Sequence, residues 1–213
     1  MSFDDSSLQP VRPEDAARLA EAVAGSVLVP GDAGYDDERA VFNLNHELLP
    51  AVIVVAENAA DVQAAVGFAA GENRPLLVKT TGHQVVGAAR GAVVIATHRM
   101  NDVTIDADAR TARVGAGVLW SEVVREAAVH GLAPLNGSNP TVGVSGYTLG
   151  GGLSPTLGRS YGSLHYGGGA RTVRSHRARP CGSSRDRPSS TGFRRRPPPG
   201  SPSSDANAGT GPR

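Results

Sequence analysis

The sequence has a single cysteine, Cys181, among its 213 residues, which excludes an intrachain disulfide and a paired-cysteine metal site. His46, His98 and His130 do not have the spacing of zinc ligands, so we expect no metal. No apolar run approaches the length of a membrane span. The opening stretch, MSFDDSSLQP, carries acids where a secretory signal has its apolar segment. These absences predict a cytoplasmic protein without a membrane partner.

The chain also lacks a strong net charge, but its charges are unevenly distributed. The formal charge is +1, yet ten of the 21 lysines and arginines and only two of the 20 acids lie between Arg171 and Arg213. Residues 1–170 therefore carry seven more acids than bases. The tail, residues 167–213, is rich in Arg, Pro, Ser and Gly. It cannot bury enough apolar surface to offset the entropy of ordering it, so we predict that it is disordered.

The basic tail has two further interpretations. Its arginines would suit nucleic acid, but they are not interleaved with aromatic residues and belong to no recognised module, so we expect no nucleic-acid partner. The same residue bias arises when a GC-rich gene is read out of frame. A frameshifted, truncated product is therefore our hypothesis for this part of the chain.

The first half of the chain has the pattern of alternating helices and strands. The stretch VRPEDAARLAEAVAG predicts a helix, and SVLVPGDAGYDDERAVFN predicts a short strand, a turn and a short helix. The run PAVIVVAE is typical of a strand buried on both faces. Asn58 is expected to cap the next helix, and PLLVK to form a second buried strand. Together they predict a right-handed, parallel βαβ unit.

The second half predicts a hairpin, a helix and a glycine-rich loop. VTID and TARVGAG flank a turn at ADAR, as in a hairpin. VLWSEVVREAAVHG predicts a helix in which Trp120 packs into a core. The stretch from Leu132 to Gly162 has no helical period but is too apolar for a flexible linker, which indicates a structured loop.

Two small-residue segments carry the chemistry. In VKTTGHQVVG, a turn directly after a strand can direct backbone N–H groups into an anion nest, and Lys79 adds a positive charge. NGSNPTVGVSGYTLGGG has the glycine density of a backbone that approaches a ligand closely. Two such segments favour a long ligand, such as a dinucleotide, held in two places. The order is not that of a Rossmann fold, whose GxGxxG follows the first strand and opens a helix.

The same residues are compatible with simpler roles. A lone histidine in a turn is most often a polar surface residue, and Gly150–Gly152 also suits an ordinary tight loop. Residue types and spacing alone leave both interpretations open.

Residues 50–162 resemble the FAD-binding domain of the vanillyl-alcohol oxidase and berberine bridge enzyme superfamily, the PCMH-type fold. The matching stretches follow the family's order: the strand and helix before KTTGH, then VVIATHRMNDVTIDADARTARVGAG, then GLAPLNGSNPTVGVSGYTLGGGL. The resemblance implies an α+β (α/β-like) fold with an N-terminal βαβ subdomain and part of a second, mixed-sheet subdomain. It divides the chain into an N-terminal tail (1–12), an incomplete FAD-binding domain (13–166) and the tail (167–213).

The resemblance implies FAD as cofactor and His83 as its anchor. In this family the histidine after the glycine of the turn is often bonded to the 8α-methyl carbon of the flavin. Lys79 stands where the family usually has arginine, and Thr80 and Thr81 occupy two small turn positions. Many members carry a second, cysteinyl flavin link where this chain has Asn139, so at most one covalent bond is expected.

The residues expected to bind the cofactor belong to the two segments. They are Lys79, Thr80, Thr81, Gly82, His83, Gln84 and Gly87 in the first segment, and Gly137, Ser138, Asn139, Thr141, Val142, Gly143, Gly146, Tyr147, Gly150, Gly151 and Gly152 in the second.

The family oxidises a small organic substrate by hydride transfer to FAD, and dioxygen or another acceptor then reoxidises the flavin. The resemblance ends near Gly162, before the family's substrate domain, so no catalytic residue is assigned and enzymatic activity of this chain alone is left open. The alternative is a non-catalytic remnant that binds a nucleotide or a protein partner.

Overall fold

The computed structural model describes residues 9–43, 45–85 and 87–158, and the backbone of residues 172–177. The chain divides into Met1–Ala178 and Arg179–Arg213, and every element described belongs to the first unit. The helices are α1 (Pro13–Glu21), α2 (Tyr35–Arg39), α3 (Ala59–Gly71), α4 (Trp120–Val129) and α5 (Val144–Leu149). The strands are β1 (Ser26–Leu28), β2 (Val52–Val55), β3 (Leu76–Lys79), β4 (Val93–Ala96), β5 (Val103–Asp106), β6 (Thr111–Val114), β7 (Leu132–Pro134) and β8 (Thr172–Arg177).

The first sheet has the strand order β1-β2-β4-β3. β4 is parallel to both of its neighbours, and β1 is antiparallel to β2. β2 and β4 are buried along their whole length, which is the burial that a continuous apolar run predicts for a central parallel strand. The β2–α3–β3 unit is therefore parallel as predicted, with β4 inserted between its two strands.

Helix α3 covers one face of this sheet. The Asn58 side chain accepts hydrogen bonds from the backbone N–H groups of Ala60 (2.8 Å) and Asp61 (3.1 Å), which confirms the predicted cap. Ala65 and Ala69 of α3 share a buried cluster with β2, β4 and Leu19 of α1. The opposite face packs against Tyr35 of α2. The sheet thus has helices on both faces.

The prediction that β3 is a buried strand is wrong for half of its residues. β3 lies at the edge of the sheet, where Leu76 is 43% exposed and Val78 is 59% exposed. Leu77 packs against the cluster that contains Tyr35, and Lys79 is buried. An apolar run predicts that a strand forms, but it does not determine whether the strand lies at the centre or at the edge of the sheet. The burial of β3 was therefore predicted wrongly.

The second sheet has the order β5-β6-β8-β7, and all its pairs are antiparallel. The predicted β5–β6 hairpin is confirmed. The prediction of disorder from residue 167 does not hold for Thr172–Arg177, because β8 pairs through its backbone with both β6 and β7. The composition argument concerned side-chain burial and took no account of this pairing. The other residues of 167–213 lie outside the described residues.

Helix α4 packs on the second sheet through Trp120, which is fully buried, as predicted. We predicted only loop between residues 132 and 162, and this prediction is corrected by strand β7 and by helix α5. The backbone of α5 is attached to the segment before α4, where Val144 N–H donates to Val118 O at 2.8 Å. Gly146 interrupts the apolar period of this six-residue helix, so no helical pattern is visible in the sequence.

Candidate cofactor site

The first small-residue segment is a tight turn that leaves the carboxyl end of β3. Gly82 has φ +65°, and a Cβ atom there would lie 3.2 Å from the Cα atom of Val41. Both the left-handed backbone and the close contact favour glycine at this position. The turn is therefore held against the chain segment that follows α2.

The hydroxyl of Thr80 fastens this turn to two neighbouring segments. Thr80 Oγ1 lies 2.8 Å from Thr97 Oγ1, at the end of β4, and donates to the carbonyl of Ala116 at 3.0 Å. Thr97 and Ala116 were not among the residues predicted from sequence. Their role is to place the turn beside the loop that leads into α4.

The second segment lies against the same loop and meets the first. Trp120 N–H donates to Val142 O at 3.1 Å, and Leu119 and Gly143 form an isolated β-bridge. A Cβ atom on Gly143 would lie 3.0 Å from Thr80 Cγ2. The two segments, about sixty residues apart in sequence, are thus in direct contact, as holding one ligand between them requires.

Tyr147 organises the glycines of the second segment. Its ring fills the space where Gly137 and Gly152 would carry a Cβ atom, and its hydroxyl donates to the carbonyl of Leu153. The ring also meets Trp120 edge-on, with centroids 6.0 Å apart at 89°. Tyr147 therefore has a packing role, and its predicted contact with the cofactor stays a prediction.

His83 lies half-buried at the end of the first turn. Its Nδ1 atom is hydrogen-bonded to Thr81 Oγ1 at 3.0 Å. Its ring stacks on Phe42, with centroids 4.2 Å apart and planes 9° apart. Its Nε2 atom is buried and has no hydrogen-bond partner among the described residues. The imidazole is thus oriented on one side and unsatisfied on the other.

Lys79 does not direct its charge into the turn. Its ammonium donates to the carbonyls of Glu38 (2.5 Å) and Ala40 (2.8 Å). Burial lowers the pKa of Lys79, and the nearby Glu38 carboxylate opposes that shift only in part. The cofactor-binding role of Lys79 stays a prediction, and its observed contacts are with Glu38 at the end of α2 and with Ala40 directly after it.

The remaining predicted residues are mostly on the surface. Asn139 Oδ1 accepts from the backbone N–H (2.9 Å) and hydroxyl (2.8 Å) of Thr141, which fixes the turn before α5. Val142 is half-buried against the buried cluster that contains Trp120 and Val144. The exposed members are Gln84, Gly87, Ser138, Asn139, Thr141, Gly146, Gly150 and Gly151. Their contacts with a cofactor stay predictions.

The sequence profile of the FAD binding domain family matches residues 50–175 of this chain. This chain belongs to that family. The chain is 34% identical over 142 residues to the (R)-6-hydroxynicotine oxidase of Paenarthrobacter nicotinovorans. This match covers 64% of this chain and 31% of that protein. An uncharacterized FAD-linked oxidoreductase of Bacillus subtilis is 33% identical over 145 residues, covering 67% and 32%.

Solved structures agree with this membership. The crystal structure of 6-hydroxy-D-nicotine oxidase from Arthrobacter nicotinovorans superposes with a TM-score of 0.62 at 34% identity, over 66% of this chain and 31% of that one. A chitooligosaccharide oxidase superposes with a TM-score of 0.62 at 25% identity, over 70% and 32%. The chain therefore has the PCMH-type fold and spans about a third of the length of these relatives.

The described residues of this FAD-binding domain suit the cofactor. Buried polar atoms normally have hydrogen-bond partners, yet each of the two segments contains one without: His83 Nε2 in the first and Thr148 Oγ1 in the second. Thr148 was not predicted from sequence, although it lies within the second segment. A polar cofactor bound at the two small-residue segments would offer hydrogen-bond partners to these unpaired atoms.

Two other expectations concern absences. Within the described ranges, no three His, Cys, Asp or Glu side chains form a group suited to a metal ion. None of the helices in the described part of the chain has the length and apolar character that a membrane crossing requires.

Proposed function

We propose that this FAD-binding domain holds its cofactor between the two small-residue segments and attaches the flavin covalently to His83. In a complete protein, the bound flavin would oxidise a small organic substrate by accepting a hydride. One observation carries the attachment: the imidazole of His83 has one nitrogen oriented by Thr81 and a second, buried nitrogen without a partner among the described residues.

The imidazole has the properties of a positioned nucleophile. A nucleophile held in a fixed orientation needs no further ordering when it reacts, and that ordering is a large part of the barrier to bond formation. The attachment would join an imidazole nitrogen of His83 to the 8α-methyl carbon of the flavin. The nitrogen and the carbon would each lose one hydrogen, and dioxygen would be the two-electron oxidant, leaving as hydrogen peroxide. The role of the protein is to hold the ring at this place.

The turn residues would bind the diphosphate of the cofactor. Backbone N–H groups in a turn with a left-handed glycine can form an anion nest, and the Gly82 conformation is of this kind. Thr81 offers a hydroxyl, half-buried beside the turn. The contact between Thr80 and Gly143 would bring the second segment to the same cofactor.

The substrate is proposed only as a class. One relative is named for hydroxynicotine and another for chitooligosaccharide, although both share this domain. The domain that these relatives share with the chain therefore does not determine the substrate, and we propose a small organic molecule without naming it.

The proposal is tested by expressing the chain without flavin, adding FAD, removing the excess and denaturing the protein in SDS. We expect flavin fluorescence to migrate with the protein band. Flavin that binds in solution but is released by SDS would limit the proposal to reversible binding. A folded, colourless protein that takes up no FAD would overturn it and favour the non-catalytic remnant.

A second prediction concerns the contact between the segments. Gly143→Ala is expected to weaken FAD binding about tenfold, because its Cβ atom would lie 3.0 Å from Thr80 Cγ2 and push the segments apart. Overpacking of this kind costs about 1–3 kcal/mol, and a tenfold loss is about 1.4 kcal/mol. Fluorescence titration with FAD measures the effect, with His83→Ala as background so that binding remains reversible.

The matched control is Thr80→Ser, which removes Cγ2 but keeps the hydroxyl and its hydrogen bonds. Combined with Gly143→Ala, it is expected to restore most of the lost affinity. A Gly143→Ala variant that binds FAD as tightly as its background would show that this contact is not part of the cofactor site.

A further inference from the structure

The segment Glu38–Phe42, which we name the His83 strap, contacts the end of β3 and the histidine turn at several points. It begins with the last two residues of α2 and lies about forty residues before the turn in sequence. No feature of the sequence marked it as part of the cofactor site, and the proposed function so far assigns it no role.

The first part of the strap is held by a buried ammonium group. Lys79 Nζ donates to the carbonyls of Glu38 and Ala40, at 2.5 Å and 2.8 Å. Arg39, between them, donates to Leu48 O at 3.2 Å and to Glu47 Oε1 at 2.7 Å. The strap is thus attached to β3 through its backbone carbonyls and to the segment before β2 through the Arg39 side chain.

The second part of the strap holds the histidine turn itself. Phe42 N–H donates to Gly82 O at 3.1 Å. Val41 fills the space beside Gly82, where a Cβ atom would lie 3.2 Å from its Cγ1 atom. The Phe42 ring stacks on the imidazole of His83, with ring centroids 4.2 Å apart and an interplanar angle of 9°.

Phe42 is 65% exposed, so its ring gains little from burial in a core. Its stacking on His83 instead restricts the imidazole to one plane. The hydrogen bond between Thr81 Oγ1 and Nδ1 fixes the position of one ring atom, but a single bond of this kind does not determine the plane of the ring. Bond and stacking together define where Nε2 lies.

We propose that the His83 strap positions the imidazole of His83, with Phe42 as the positioning residue that sets the plane of the ring. The expected effect of the strap on the rate of flavin attachment rests on the proposed attachment of flavin to His83. The geometric content of the inference, a single ring orientation imposed by Phe42, applies to the protein without cofactor as well.

The test uses the full chain with Phe42→Leu and Phe42→Tyr. In the flavin-free protein labelled with carbon-13 histidine, the ring protons of His83, assigned with His83→Ala, are expected to show an upfield ring-current shift. Phe42→Leu is expected to abolish that shift, and Phe42→Tyr to retain it. Val129→Ala, which truncates another exposed apolar side chain on α4, is expected to leave it unchanged.

The second readout is the rate at which added FAD becomes resistant to release by SDS. Phe42→Leu is expected to slow attachment about tenfold while reversible FAD binding changes less, and Phe42→Tyr is expected to restore the rate. Attachment in Phe42→Leu at the wild-type rate would overturn the positioning role and leave the proposed function standing.

The two proposals fail separately. If the wild-type protein never attaches flavin, the proposed attachment is wrong, and the ring-current shift alone decides the inference about the strap. If the His83 ring protons show no upfield shift in wild-type protein, or keep it in Phe42→Leu, Phe42 does not set the ring plane.

Discussion

Replacing His83 with alanine is expected to abolish covalent flavin while leaving reversible FAD binding in place. The reason is that the bond needs a nucleophilic nitrogen at the turn, whereas the binding surface is distributed over both segments. After denaturation in SDS, the wild-type protein band should retain most of the bound flavin. The flavin fluorescence of the His83→Ala band should be at background level. In solution, the variant should still quench added FAD on binding.

The matched control for this prediction is His98→Ala. His98 is a second histidine near the strap, with its Nε2 atom 3.5 Å from Glu38 Oε1. Its loss is expected to leave the covalent fraction unchanged. Flavin that stays on the His83→Ala protein after denaturation would place the attachment at another residue, and the role given to His83 would be wrong.

The parts of the fold that follow from local residue patterns could be predicted from the sequence. The apolar run of β2 predicted a strand buried on both faces, because a central parallel strand contacts helices on either side. Asn58 predicted its helix start, because an amide side chain can satisfy the first free N–H groups. Strand order is different, since the insertion of β4 between β2 and β3 depends on the whole sheet.

Only those parts of the candidate site that are formed by residues adjacent in sequence could be predicted. The turn at Thr80–His83 and the glycines before and after α5 stand out as small-residue segments, and the resemblance to a family assigned them to one cofactor. Phe42 and Thr97 gave no such signal. Their relation to the site arises from tertiary contacts between residues far apart in sequence, and no periodicity or spacing encodes such contacts.

A second large effect is expected at Asp61, whose buried carboxylate joins three chain segments. Its Oδ1 atom accepts from Ala24 N–H at 2.9 Å, and its Oδ2 atom accepts from Gly25 N–H at 3.1 Å and Glu57 N–H at 2.9 Å. The carboxylate therefore connects the end of the α1 region and the end of β2 to the first turn of α3. Without it, three backbone donors lose their acceptor.

Asp61→Ala is expected to lower the free energy of unfolding by about 4 kcal/mol, because hydrogen bonds to a charged group and unsatisfied buried donors each contribute about 1–3 kcal/mol. Asp61→Asn retains one acceptor oxygen but turns an amide donor toward backbone donors, so a loss of about 2 kcal/mol is expected. Urea denaturation measures both. A change below about 1 kcal/mol in the alanine variant would contradict this account.

The same carboxylate predicts how stability depends on pH. Burial raises the pKa of Asp61, but the hydrogen bonds from Glu57, Ala24 and Gly25 lower it more, so the net pKa lies below its ordinary value of 3.8. The unfolded chain therefore binds this proton more readily than the folded chain does. The stabilisation is present above pH 3.8 and is lost as the pH falls below it, through the lower pKa of the folded state. Asp61→Asn should flatten this part of the acid denaturation profile, and an unchanged slope would show that another group causes it.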